Sequence, residues 1–87
     1  MLAFSGVSPN PASGPATAEF SLAATSDVEV ETFDPAGRRM AAHRLLGLGP
    51  GLHRIPLAEL TGAPPGIRLV RLKVGAVTLT RRVAIVR

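Results

Sequence analysis

Two histidines, His43 and His53, are the only side chains in this 87-residue sequence with an ordinary pKa near neutrality. Nucleophilic catalysis would need one of them beside a hydroxyl or thiol and oriented by a buried carboxylate. The chain has no cysteine and no Gly-x-Ser-x-Gly elbow to present a serine at a sharp turn. His53 falls in phase with Ile55 and Leu57, which predicts a packed, hydrogen-bonded side chain or a loop-edge residue rather than a general base. Asp27, Glu29, Glu31 and Asp34 gather carboxylates in one stretch, but the alternating Asp ligands and glycine of a calcium loop are missing. Glu29 and Glu31 read instead as an outward-facing strand pair, and Asp34 as a turn residue that accepts local backbone N–H groups. Arg68, Arg71, Lys73, Arg81, Arg82 and Arg87 concentrate positive charge near the end of the sequence. On nucleic acid such residues would contact phosphates. No recognition helix or aromatic stacking platform accompanies them, since Trp and Tyr are absent. No catalytic residue, metal ligand or cofactor is therefore expected, and nucleic acid is not an expected partner.

The elements that would position these groups are marked by turn chemistry. Pro9-Asn10-Pro11, Asp34-Pro35-Ala36-Gly37, the Gly/Pro run Gly47 to Gly51, Ala63-Pro64-Pro65-Gly66 and Gly75-Ala76 divide the chain into short apolar or alternating runs. Strands are expected near Leu2–Val7, Ala16–Leu22, Asp27–Phe33, Arg38–Leu45, Gly51–Leu57, Gly66–Val74 and Val77–Val86. Asp34 to Gly37 matches a type I turn position by position. Gly75-Ala76 suits a two-residue type II′ hairpin. Pro56 places Gly51–Leu57 at a sheet edge or ends the strand there. Ala58–Thr61 is long enough for a single helical turn only. In Gly66–Val74 the apolar phase switches between Ile67/Leu69 and Val70/Leu72/Val74, which predicts either a bulge or a central strand whose start is covered on both faces. The pattern as a whole predicts an all-β fold: a small immunoglobulin-like antiparallel β-sandwich of about seven strands in one domain, residues 1–87. The expected core is Phe20, Leu22, Val28, Val30, Ile55, Leu57, Val70, Leu72, Val83 and Ile85.

Composition narrows the classes further. Hydrophobic residues make up 46% of the chain, enough for one core. No apolar run approaches the ~18–20 residues of a membrane-spanning helix, so membrane insertion is not expected. The first seven residues lack the basic region and long apolar stretch of a signal peptide. Export, if it occurs, is expected to use a parent protein's signal or one trimmed before Met1. The formal charge of +4 is unevenly distributed. Every acidic residue except Glu59 lies before Pro35, and every basic residue lies after it. Two arrangements follow: a molecule with an acidic and a basic side, or acidic early strands beside basic late strands that cancel across a sheet. Cancellation is the expected one.

Several landmarks, read in order, carry a family resemblance. Ser8-Pro9-Asn10-Pro11 follows a short apolar run, and Asp34-Pro35-Ala36-Gly37-Arg38-Arg39 matches an Asp-x-x-Gly-Arg-x turn. Gly51-Leu52-His53 follows a Gly/Pro loop, Pro65-Gly66-Ile67-Arg68-Leu69-Val70-Arg71-Leu72 forms a Pro-Gly-initiated strand, and Thr80-Arg81-Arg82-Val83 leads to the end of the sequence. Together these motifs resemble the C-terminal sorting domains of type IX secretion and the similar immunoglobulin-like domain of the flagellar hook-capping protein. Arg68 stands where that family usually has Tyr. The resemblance implies a non-catalytic secretion-sorting or surface-anchoring module at the end of a bacterial extracellular protein, located outside the cell or on its surface. The implied partner is the secretion machinery or a cell-surface protein, with Arg71, Lys73, Arg81 and Arg82 the expected contact residues. The alternative expectation is self-association: a subunit of an extracellular filament or cap, joined by donating the strand of Leu2, Phe4 and Val7 to a neighbour. Against donation stands the ordinary arrangement in which that strand packs on its own sandwich.

Overall fold

The computed structural model describes residues 2–87; Met1, to which the expectation of a trimmed upstream segment attaches, lies outside the described residues. Seven strands form: β1 (Ala3–Ser8), β2 (Thr17–Leu22), β3 (Ser26–Phe33), β4 (Arg39–Leu48), β5 (Gly51–Pro56), β6 (Gly66–Val74) and β7 (Val77–Ile85). A single 3-10 turn, Ala58–Leu60, links β5 to β6. The strands pair antiparallel in two sheets, β1-β2-β5 and β4-β3-β6-β7, which make the small all-β sandwich that the turn spacing predicts. β4 runs to Leu48, beyond the expected end at Leu45, and crosses to the other sheet through Gly49 and Pro50.

The sandwich follows from alternation. Ala18, Phe20 and Leu22 of β2 point inward and face Val28 and Val30 of β3, Val70 and Leu72 of β6, and Val83 and Ile85 of β7. Leu57 and Leu60 close the core beneath the 3-10 turn. Phe20 is fully enclosed, and burying such a side chain contributes about 1.5–3 kcal/mol. Nine of the ten expected core residues are buried; Ile55 is only half-buried. The reason is topological. β5 is the edge of the three-stranded sheet, so Ile55 has a lateral strand neighbour on one side only. Phe4, Val7, Ala12 and Ala16 also belong to the core, although the sequence pattern did not single them out for it.

Both hairpins have the expected turns. The Gly37 N–H donates to the Asp34 carbonyl at 3.0 Å, and an Asp34 carboxylate oxygen accepts the Arg38 N–H at 2.9 Å. Gly75 has φ of +57° while no non-glycine residue among those described has a positive φ, so the Gly75-Ala76 turn is type II′ rather than I′.

The phase switch in β6 has a different cause from either expected one. Pairing with β7 runs without interruption from Gly66 to Val74, so there is no bulge. Ile67 is exposed, so the start of the strand is not covered on both faces. Arg68 takes the inward position instead, opposite Val83 and only 6% exposed. A guanidinium occupies the phase that an apolar residue would have marked.

The β7 edge is covered over its second half. The Asn10 side chain donates to the Arg82 carbonyl (3.1 Å) and accepts from the Ala84 N–H (3.0 Å). Ala12 then forms a parallel bridge to Ile85, with its N–H on the Ala84 carbonyl and its carbonyl accepting the Val86 N–H, both at 2.8 Å. The loose Pro-rich stretch of the sequence is thus a lateral clamp.

Candidate functional site

The groups able to do chemistry are consumed by structural bonds. The Glu59 carboxylate lies between the Thr32 hydroxyl, which donates to Oε2 at 2.8 Å, and His43 Nε2, which donates at 3.0 Å to Oε1. A carboxylate in the middle reverses the hydroxyl–imidazole–carboxylate order that activates a nucleophile. Thr32 is also completely buried, out of reach of a substrate. This cluster ties the 3-10 turn to the inner side of β3 and β4. His53 donates from Nε2 to the Gly49 carbonyl at 2.7 Å, and its ring lies 5.7 Å from that of Phe20. It is the packed, hydrogen-bonded residue its phase predicts.

The outer face of the four-stranded sheet carries the densest charge. β3 is central there, and its Glu29 and Glu31 lie between basic residues of β4 and β6. Glu31 pairs in register with Ala42 on one side and Arg71 on the other; Glu29 pairs with Arg44 and Lys73. Cross-strand cancellation is therefore the arrangement realised. Glu31 lies on the outer face, as its phase predicts, yet it is only 3% exposed. Arg71 donates to its Oε1 through Nε (3.0 Å) and Nη2 (2.8 Å), and Arg39 Nη1 reaches its Oε2 at 3.2 Å. The long arginine stems lie over the carboxylate and exclude water from it. Burial by itself would raise the Glu31 pKa. The bonds from Arg71 and Arg39, with the nearby charges of Arg71 and Lys73, outweigh it and hold the carboxyl below the usual glutamate value. Asp34 is also held low, first by the Arg38 backbone N–H and then by the Arg38 side chain.

The four expected contact residues are not brought together as one patch. Arg71 is committed to Glu31 and stacks over the Phe33 ring, 4.7 Å from its centroid. Lys73 pairs with Glu29 at 3.4 Å. Arg81 lies in phase with inward-facing Val83 and reaches sideways over the Phe4 ring at 5.6 Å. Arg82 is on the outer face, paired in register with Leu69. Among the described residues, Arg81, Arg82 and Arg87 are exposed cations with no carboxylate within 4.0 Å. Beside Arg82 lie half-buried Leu69 and exposed Ile67, and a shallow hollow of about 270 Å³ borders Phe33, Leu69, Arg71 and Thr80.

The expected donor strand is seated at home. β1 pairs with β2 from Ala3 to Ser8, with Phe4 and Val7 buried in the core and Leu2 packed partly against it. Donation would have to extract both.

A larger recess of about 330 Å³ opens between the β5–β6 loop and the end of β7, lined by Ser13, Leu60, Pro64, Ile85, Val86 and Arg87 among others. It contains neither histidine nor carboxylate, so it has no acid–base pair. Near it, Arg68 donates to the carbonyls of Pro64 (2.8 Å) and Ile67 (3.0 Å), while its buried Nε has no partner. No cluster of three or more His, Asp or Glu suited to a metal ion occurs among the described residues.

No model of a known protein family matches the chain, and no curated protein sequence matches it.

Proposed function

We propose that this chain is a non-catalytic immunoglobulin-like module of a bacterial secreted or surface protein, recognised by export or anchoring machinery through its last hairpin. The observation that supports the reading is the distribution of free surface chemistry. Histidines and nearly all carboxylates are tied into internal bonds, whereas Arg82 and Ile67 remain exposed on the β6–β7 hairpin. That hairpin includes the segment Pro65–Leu72, where the resemblance to type IX sorting domains is densest. Arg81 lies on the same strand but at the other face, so a recognising surface would have to wrap the β7 edge to touch both.

The test is an export assay. The 87 residues are fused behind a folded reporter carrying a signal peptide, in a bacterium with type IX secretion. Reporter is expected at the surface or in the medium, and the double substitution Arg81→Glu/Arg82→Glu should cut that fraction several-fold while the isolated module stays folded, its thermal midpoint lowered only by the loss of the Arg81–Phe4 contact. A reporter that stays in the periplasm beside a correctly folded module would sink the proposal.

A further inference from the structure

The sandwich has four strand edges, and their protection is unequal. β7 is covered by Asn10–Ala12 over its second half. β1 is short and carries a bulge between Phe4 and Gly6. β5 is equally short and ends in Pro56, which has no N–H to offer. β4 is the longest strand, at ten residues, and contains no proline. Its register with β3 slips twice, near Met40 and near Leu46-Gly47, leaving a regular stretch from Ala41 to Leu45. Among the described residues, no backbone group outside β3 bonds to that stretch. Unpaired N–H and C=O groups in a regular strand are a template for another strand.

We propose that the occupant of this edge is a second copy of the chain, its β4 pairing antiparallel about a two-fold axis at His43, so that two four-stranded sheets become one of eight. The inference is independent of the export reading. Its first support is self-complementarity. The regular stretch is centred on His43, and a two-fold there sets Arg44 opposite Ala42 and Leu45 opposite Ala41 of the second copy, large against small. Centring one residue later would set Arg44 against Arg44, a like-charge pair that destabilises a sheet.

The second support is charge. Asp27 is the one acidic side chain among the described residues with no Arg, Lys or His nitrogen within 4.0 Å. It accepts the Gly47 N–H at 2.9 Å, which places its carboxylate at the outer end of β4. Just beyond the regular stretch, the His43-centred register brings the Arg39 end of one copy's β4 toward the Leu46-Gly47 slip of the other and so toward that carboxylate, and the symmetry repeats the approach.

One short strand pair buries less than the ~1,200–2,000 Å² of a tight complex, so the dissociation constant should be weak, about 100 µM. Sedimentation equilibrium of the 87-residue chain, from roughly 10 µM to 1 mM to bracket that constant, should show the mass climb from 9.0 kDa toward twice that value. Ala42 is exposed, so Ala42→Arg leaves the core intact and sets Arg against Arg44 of the second copy at two symmetric places. It should weaken association about tenfold, the combined effect of its two mispaired charge contacts. Adding Arg44→Ala to Ala42→Arg exchanges the two residues, removes each repulsion while Glu29 keeps Lys73, and should restore association, a rescue that no effect on folding alone can mimic. A chain that stays monomeric to the highest concentration overturns the proposal. So does an Ala42→Arg variant that associates like the parent, or a folded double variant that fails to recover.

Discussion

Glu31→Gln removes one charge from the centre of the four-stranded sheet while preserving shape, and its cost can be worked from three bonds. In the native chain Arg71 makes two bonds to Oε1 and Arg39 makes one to Oε2. Glutamine keeps a carbonyl oxygen for Arg71 but presents an NH₂ group to Arg39, donor against donor. A lost bond to a charged group costs about 1.5–3 kcal/mol, and the two Arg71 bonds, still charge-assisted by the guanidinium, weaken by less, for a total of roughly 3 kcal/mol. Arg39 is 56% exposed and can turn to water, which reduces the figure to about 2 kcal/mol. At about 4–8 °C per kcal/mol for a domain of this size, the thermal midpoint should fall by roughly 8–16 °C at pH 7. The pH dependence supplies an internal control. The folded-state pKa of Glu31 is lowered, so its stabilisation is fully present above the ordinary glutamate value of about 4.3 and is lost as pH falls through the lowered folded value. The gap between native and variant should therefore close in acid. Calorimetry at pH 7 and near pH 2, the latter well below glutamate's usual range, measures both. An undiminished gap in acid, or none at pH 7, would refute the assignment of Glu31 as a buried, charge-held carboxylate.

The corresponding surface substitution, Glu19→Gln, should cost under about 1 kcal/mol in the same assay, because the Arg54 side chain it meets is 68% exposed. Leu72→Ala opens a cavity in a fully packed position and should cost about 2–5 kcal/mol by urea unfolding. Gly75→Ala should cost about 1–2 kcal/mol from backbone strain alone, because a Cβ there meets nothing within 4 Å. Asn10→Ala should destabilise by about 1–2 kcal/mol and speed hydrogen exchange at the Ala84 amide, which loses its partner.

The strand count, both hairpin turns and nearly all of the expected core were legible because each rests on local rules. Alternation in Asp27–Phe33 separates the faces, and Gly75 and Asp34 specify their turns. What escaped depends on neighbours that are distant in sequence. Glu31 looks solvated in its own strand, and only the pairing of β3 between β4 and β6 stacks Arg39 and Arg71 upon it. The four arginine and lysine positions expected to form one patch share a hairpin, but strand pleat sends Arg81 to the opposite face from Arg71, Lys73 and Arg82, and β3 occupies two of them. Arg68 hid the inward phase of β6 because a charge was read as a surface mark. The one available hint was its position in the alternation with Val70 and Leu72. Asn10 was legible as a loop residue, whereas its service to the β7 edge depends on a strand more than seventy residues later.

The clamp between Ala12 and Ile85 also gives the module a direction of mechanical strength. The two segments run parallel, so tension carried into the sandwich through Ser8 and out through Val86 pulls them past one another along their length. The two Ala12 backbone bonds and the two Asn10 side-chain bonds lie across that pull and are loaded together in shear, rather than opened one after another like a zip. Tension applied at Ser8 and Val86 thus loads these four bonds together, whereas tension applied upstream of Ala3 must first draw β1 from its pairing with β2.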